Sequence, residues 1–299
     1  MGVINVVLDR LARHLWPLAI ANLVANIGIV VTGAAVRLTG SGLGCPTWPR
    51  CTDASYVAHG ELGLHGAIEF GNRLLTFALT AVAILCFLAA LGSRRRRATR
   101  LALAIGLGIP LQAVIGGISV LTDLNPWIVA GHFLLSMAII MLCVALLDDL
   151  RSPQRATAPP LPRLLAWATL ASGWVVLYLG TVVTGAGPHA GDTDSPRNAL
   201  DPSTVSHVHA YAVYVLVGLT VALLVVAVRA GHPWLARVTA LVLLIEVLQG
   251  ALGWIQYWLD LPVGLVALHM LGAALLAAGL ARIALAVRPH GASPEARSV

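Results

Sequence analysis

The chain is 299 residues long, 58% hydrophobic and only 11% charged, with a formal net charge of +6. A soluble domain carries about a quarter charged residues, so this composition excludes an ordinary globular enzyme and points to a polytopic membrane protein. The basic balance calls for no nucleic acid, because the cations are all Arg, with no Lys, and they gather between apolar runs.

The apolar runs are about 20 residues long rather than short and alternating, which makes helices the spanning form. In chain order they predict eight spans: 16–37, 65–91, 99–120, 127–147, 164–186, 205–229, 235–258 and 262–287. Ahead of the first, Asp9, Arg10, Arg13 and His14 break up any signal-peptide core, so no cleavable leader is expected. Arg94 to Arg97 and Arg100 follow span 2; Arg151, Arg155 and Arg163 follow span 4; Arg229 and Arg237 follow span 6. Arg10, Arg13, Arg288 and Arg297 extend the pattern to both ends, while the opposite loops carry Asp53, Glu61, Asp123, Asp192, Asp194, Asp201 and Asp260. The positive-inside rule then makes the arginine side cytoplasmic, with both termini inside an inner (cytoplasmic) membrane.

One unit occurs twice. Residues 111–134 lie on 248–271 without a gap, keeping Gln112/Gln249, Gly116/Gly253, Asp123/Asp260, Ala130/Ala267 and His132/His269 in register. Residues 28–34 (GIVVTGA) answer 180–186 (GTVVTGA) at the ends of spans 1 and 5. Such self-similarity marks a doubled architecture. The expected fold is an all-α polytopic membrane protein whose eight transmembrane helices form two tandem, pseudo-twofold-related four-helix bundles. The halves are 1–150 and 164–288, joined by a cytoplasmic linker rich in Pro and Arg at 151–163, with a disordered tail at 289–299.

His132 and His269 each sit about 8–10 Å below the outer end of their span, at about 1.5 Å per residue. The repeat offset carries His209 in span 6 back to Asn72 in span 2. His209 and His269 are therefore expected at matching depth on neighbouring helices, where two imidazoles can hold haem iron from both faces. Buried histidines bonded to a neighbouring helix are the plainer reading of each one alone, and His207 competes with His209 from another helical face. In span 2, His65, Glu69 and Asn72 share a face. Glu69 pairs with Arg73 four residues on, or it works: a carboxylate in a membrane helix is expensive unless paired or functional. The working alternative makes the first half a reaction chamber in which Glu69 and His132 flank a substrate. In the first outer loop, Cys45 and Cys51 read as a disulfide in an oxidising compartment, with thiol exchange as the rival; no nearby His favours a metal. Cys86 and Cys143 are small hydrophobes in apolar spans.

The segments 32–51 (TGAAVRLTGSGLGCPTWPRC), 68–74 (IEFGNRL), 131–132 (GH), 184–192 (TGAGPHAGD), 207–209 (HVH) and 268–269 (LH) together resemble the haem A synthase family. The likeness covers nearly all of 16–287. It implies haem b held by His209 and His269, and haem O taken up near Glu69 and His132, with His132 a ligand to the substrate iron. It also implies oxidation of the C8 methyl of haem O to a formyl group, by two hydroxylations and loss of water, giving haem A for terminal oxidases. Glu69 suits the proton-accepting role there, and Arg37, Arg73, Arg197 and His189 are candidate partners for propionates. The first-loop cysteine pair of the family is met by Cys45 and Cys51; a second pair, present in some members, is absent from 186–204. Asn72 departs from the family pattern, which places a histidine there, and leaves open whether His65 takes over. Expected partners are the lipid bilayer, haem O and haem A, a haem O synthase that hands over an insoluble substrate, and an electron acceptor of unread identity, with homo-oligomerisation open. A bis-His electron-transfer cytochrome is the alternative, and Asn72 argues against it. A transporter would show matched helix breaks, whereas Pro110 answers Val247.

Overall fold

The computed structural model describes residues 2–151 and 158–288 and is helical throughout, with no strand among them. The linker residues 152–157 and the tail at 289–299 lie outside the described residues. The chain runs through α1 (Val3–Ala12), α2 (Leu15–Leu38), a 3-10 turn (Gly60–Leu62), α3 (Gly63–Gly92), α4 (Arg96–Leu121) and α5 (Pro126–Arg151). It continues through α6 (Pro160–Ala186), α7 (Pro202–Arg229), α8 (Pro233–Trp258) and α9 (Val263–Ala286). Eight of these, α2 to α9, are long and apolar enough to cross a bilayer, which makes this a multi-pass membrane protein.

Helices α5, α6, α7 and α8 each begin on a proline. Proline suits a first helical position because its missing N–H has no intrahelical partner to lose. The apolar runs therefore understate these helices, which start one to four residues before the predicted spans. Helix α1 is an addition to the eight. It lies against α3, where the Leu8 carbonyl meets Gly92 so closely that a Cβ there would collide, and Asp9 pairs with Arg94 at 3.8 Å. Ile4, Val6 and Val7 remain exposed.

Among the first four spans, α2 packs on α3, α3 on α4, α4 on α5 and α5 on α2. The last four repeat the pattern: α6 on α7, α7 on α8, α8 on α9 and α9 on α6. A seam of α2, α5, α6 and α9 joins them, filled by Val30, Met137, Ile140, Leu177, Ala274 and Ala277. At the arginine-rich end of that seam, Arg282 of α9 donates to Asp148 of α5, which is 2% exposed. At the opposite, disulfide-bearing end, Arg37 of α2 donates to the carbonyls of Thr184 (2.9 Å) and His189 (2.5 Å) beyond the seam.

The doubling visible in the sequence has a three-dimensional counterpart. Gln112 donates to the backbone carbonyl of His132 at 3.0 Å, and Gln249 donates to that of His269 at 3.1 Å. The turns that precede α5 and α9 also match: Asp123 and Leu124 have φ of 52° and 60°, and Asp260 and Leu261 have 54° and 59°. Left-handed backbone at two successive non-glycine residues is rare, so its recurrence at the same repeat positions is a specific likeness.

Candidate functional site

The last four spans bring two imidazoles together. His209 projects from α7 against Gly180 of α6, where a side chain on the glycine would meet the ring at 3.3 Å. His269 projects from α9 toward Gly253 of α8, where the corresponding approach is 3.6 Å. Both rings are half-buried. The Nδ1 atom of each is buried without a hydrogen-bond partner. An imidazole Nδ1 left without a partner in an apolar interior is costly unless a further group engages the ring, and a haem iron is one group of that kind. The donor set therefore fits haem. By contrast His207 is exposed, donates through Nδ1 to the Ser203 carbonyl of its own helix (2.7 Å), and meets Tyr257 edge-on.

The first four spans carry one such imidazole. His132 of α5 abuts Gly116 of α4, the repeat counterpart of Gly253, and its Nδ1 is likewise buried and unpartnered. At the place of a second ring stands Asn72, whose Oδ1 accepts from Thr32 of α2 at 2.8 Å. His65 lies nearer the end of α3, exposed, with Nδ1 2.9 Å from the Ser41 hydroxyl.

Glu69, 5% exposed, and Arg73 form a polar knot under the first long loop. Glu69 Oε1 accepts from Arg73 Nη2 at 2.5 Å and from Nε at 3.1 Å, while Oε2 accepts from the Cys45 N–H at 2.5 Å. The remaining N–H groups of Arg73 go to the carbonyls of Cys45 (3.0 Å), Thr47 (3.1 Å) and Arg50 (3.1 Å). All five guanidinium donors are thus committed to Glu69 and the loop. Cys45 and Cys51 are joined by a disulfide, and both are fully buried. Trp48, between them in sequence, lies on Gly117 of α4, where no side chain could be accommodated. The Glu69–Arg73 pair is therefore also the floor on which the disulfide loop rests.

The other predicted anion partners are placed apart. Arg37 is spent on the two carbonyls across the seam. Arg197 donates to Ser195 (2.7 Å) and Pro188 (3.0 Å) within its own loop, and His189 Nε2 meets the Leu261 carbonyl at 2.9 Å. Together, Arg37, His189 and Arg197 tie the loop after α6 to α2 and to the turn before α9. No group of three or more metal-ligating side chains occurs among the described residues. Sequence reasoning passed over Glu246 of α8, which is 2% exposed and accepts from Thr220 of α7 at 2.9 Å. A lone carboxylate inside LVLLIEVLQG was the available signal.

The family model for cytochrome oxidase assembly protein, COX15-CtaA, matches residues 17–62 and 64–281. A Bradyrhizobium protein described as "Heme A synthase" is 29% identical over 215 residues, covering 59% of this chain and 58% of the relative. A Bacillus licheniformis protein of the same description is 27% identical, covering 57% and 59% respectively. The chain thus spans somewhat over half the length of these relatives. A third, from Rhodopseudomonas palustris and described likewise, is 28% identical over 89% of this chain and 88% of its own.

Proposed function

This chain belongs to the COX15-CtaA family of cytochrome oxidase assembly proteins, and from that premise we propose that it is a membrane oxidoreductase that makes haem A from haem O. One observation carries the reading: a doubled scaffold holds two imidazoles with a buried, unpartnered Nδ1 in its last four spans and one in its first four. The two sets of spans are then tandem four-helix bundles, 1–150 and 164–288, with 151–163 as linker. The last binds a permanent haem b through His209 and His269. The first admits haem O beside His132. Bound haem b supplies one-electron transfer, which lets electrons leave the substrate's chamber.

Within that chamber, His132 orients the substrate by its iron, with its ring set by Gln112 holding its backbone carbonyl. Asn72, bonded to Thr32, offers a neutral amide where a second imidazole would stand. One face of the substrate iron is then left without a protein ligand. Glu69 is the proton acceptor for the C8 methyl and its hydroxylated successor: Oε2, with one bond to Cys45, keeps acceptor capacity. Arg73 fixes its direction. The propionates lie toward the disulfide end, where Arg197 has donors beyond its two loop bonds. This end faces the extracytoplasmic side of the inner membrane, with both termini cytoplasmic, and a haem O synthase delivers the substrate.

The test is haem extraction from cells that supply haem O, with and without this protein. Appearance of haem A only in its presence is expected. Purified protein without a haem absorption band, or with haem but forming no haem A, overturns the reading; the latter outcome favours an electron-transfer cytochrome.

A further inference from the structure

Glu246 has no part in the chemistry above. It sits one turn, about 4.5 Å along the axis, from Gln249, whose amide holds the His269 carbonyl. Its Oε1 accepts from Thr220, and its Oε2 is buried with no partner. Two more unpartnered hydroxyls, Thr169 of α6 and Thr239 of α8, are fully buried in the same set of four helices, toward the arginine-rich end. Polar interior atoms left in this state are characteristic of sites that take up water and protons.

The repeat makes the arrangement specific. The counterparts of Thr220, Thr239 and Glu246 are Ala83, Ala102 and Ile109, and these line an apolar cleft between α3 and α4. The polar set therefore accompanies the pair of histidines and is missing where the pair is missing. A carboxylate kept in a membrane interior without a cation is retained for work. None is near it in bonding terms: α7 carries His209 and Tyr214 on one side and Arg229 on the other. Helix α9 carries His269 and Arg282, the latter bonded to Asp148, and α8 itself carries Arg237 and Tyr257. None of these makes a hydrogen bond or ion pair with Glu246, whose partner is Thr220.

We propose that Glu246 is the proton-binding group that balances the electron held between His209 and His269. This rests on the haem reading above. A haem held there would take up one electron from the substrate methyl, and the proton added to the Glu246 carboxylate would leave the buried net charge unchanged. Reoxidation by a quinone-class acceptor returns both. Thr239 and Thr169 mark the side from which the proton arrives.

The experiment is a redox titration of the purified holoprotein across pH, for the wild type and for Glu246→Gln, alongside haem content and redox-difference infrared spectra. The wild-type midpoint potential is expected to fall as pH rises and a protonated-carboxyl band to appear on reduction. In Glu246→Gln, haem is retained, the slope flattens and the band is lost. Equal slopes in both proteins overturn the proposal. Should Glu246→Gln fail to assemble, a wild-type spectrum without the carboxyl band overturns it alone. A wild type without haem sinks the underlying reading, and this one with it, which separates the two failures.

Discussion

The first and last four spans begin from one plan and diverge at a handful of positions. Both keep a glutamine bonded to the carbonyl of a histidine, and both set that histidine against a glycine. Only the last four add the second imidazole and a buried acid with no cation bonded to it; only the first four add the Glu69–Arg73 knot and the disulfide loop above it. The shared parts hold a ring in place. The differing parts decide whether that ring is one of a pair or stands alone, which on the proposed function separates gripping a porphyrin from leaving it open to reaction.

The largest effect should separate the histidines. His209→Ala or His269→Ala is expected to abolish resident haem, whereas His132→Ala keeps it and abolishes haem A formation; pigment spectra and extracted haems decide. Loss of the resident haem in all three would erase the distinction. Next, Glu69→Gln should lower haem A formation about a hundredfold or more with resident haem unchanged, the usual scale for losing a positioned base. Asn72→His restores a second ring to the first four spans, and should convert bound haem O to a six-coordinate spectrum with slower turnover. Smaller again, Gln249→Leu should weaken retention of the resident haem about tenfold, as loss of support behind a ligand commonly does, while Gln112→Leu affects the substrate instead.

The smallest effect concerns how the second helix of each set begins. Asp201 caps α7, accepting from both the backbone N–H and the hydroxyl of Thr204, whereas α3 starts after a 3-10 turn with no side-chain cap. Those hydrogen bonds hold the Asp201 carboxyl below the ordinary carboxylate range. The contribution of the cap is therefore complete at neutral pH and is lost as pH falls through that lowered value. Amide exchange at the start of α7, but not of α3, should rise with acid, and Asp201→Ala should show the acid behaviour at neutral pH.

Spans were legible because a bilayer demands long apolar runs, and the repeat was legible because the register survives in glycine, glutamine and histidine. Helix α1 escaped because its 10 residues are too short to span and carry charge toward their end. The prolines that open four helices extended them past the apolar runs. Glu69 and Arg73 were readable as a pair at helical spacing, but their grip on Cys45, Thr47 and Arg50 depends on a loop folding back over α3, which no local pattern reports. Likewise the neighbours of Arg37 lie about 150 residues away in the chain: the separations are 147 and 152.

That seam has a mechanical meaning. Arg282 on Asp148 fastens it near one membrane face, and Arg37 on Thr184 and His189 fastens it near the other. Sliding or rocking one set of helices against the other would strip Arg37 of its two carbonyls and part Asp148 from Arg282, the latter at about 3–5 kcal/mol for a buried ion pair broken. Fastened near both membrane faces, the two sets of helices are tied against rocking about their seam, unlike a carrier whose halves must part.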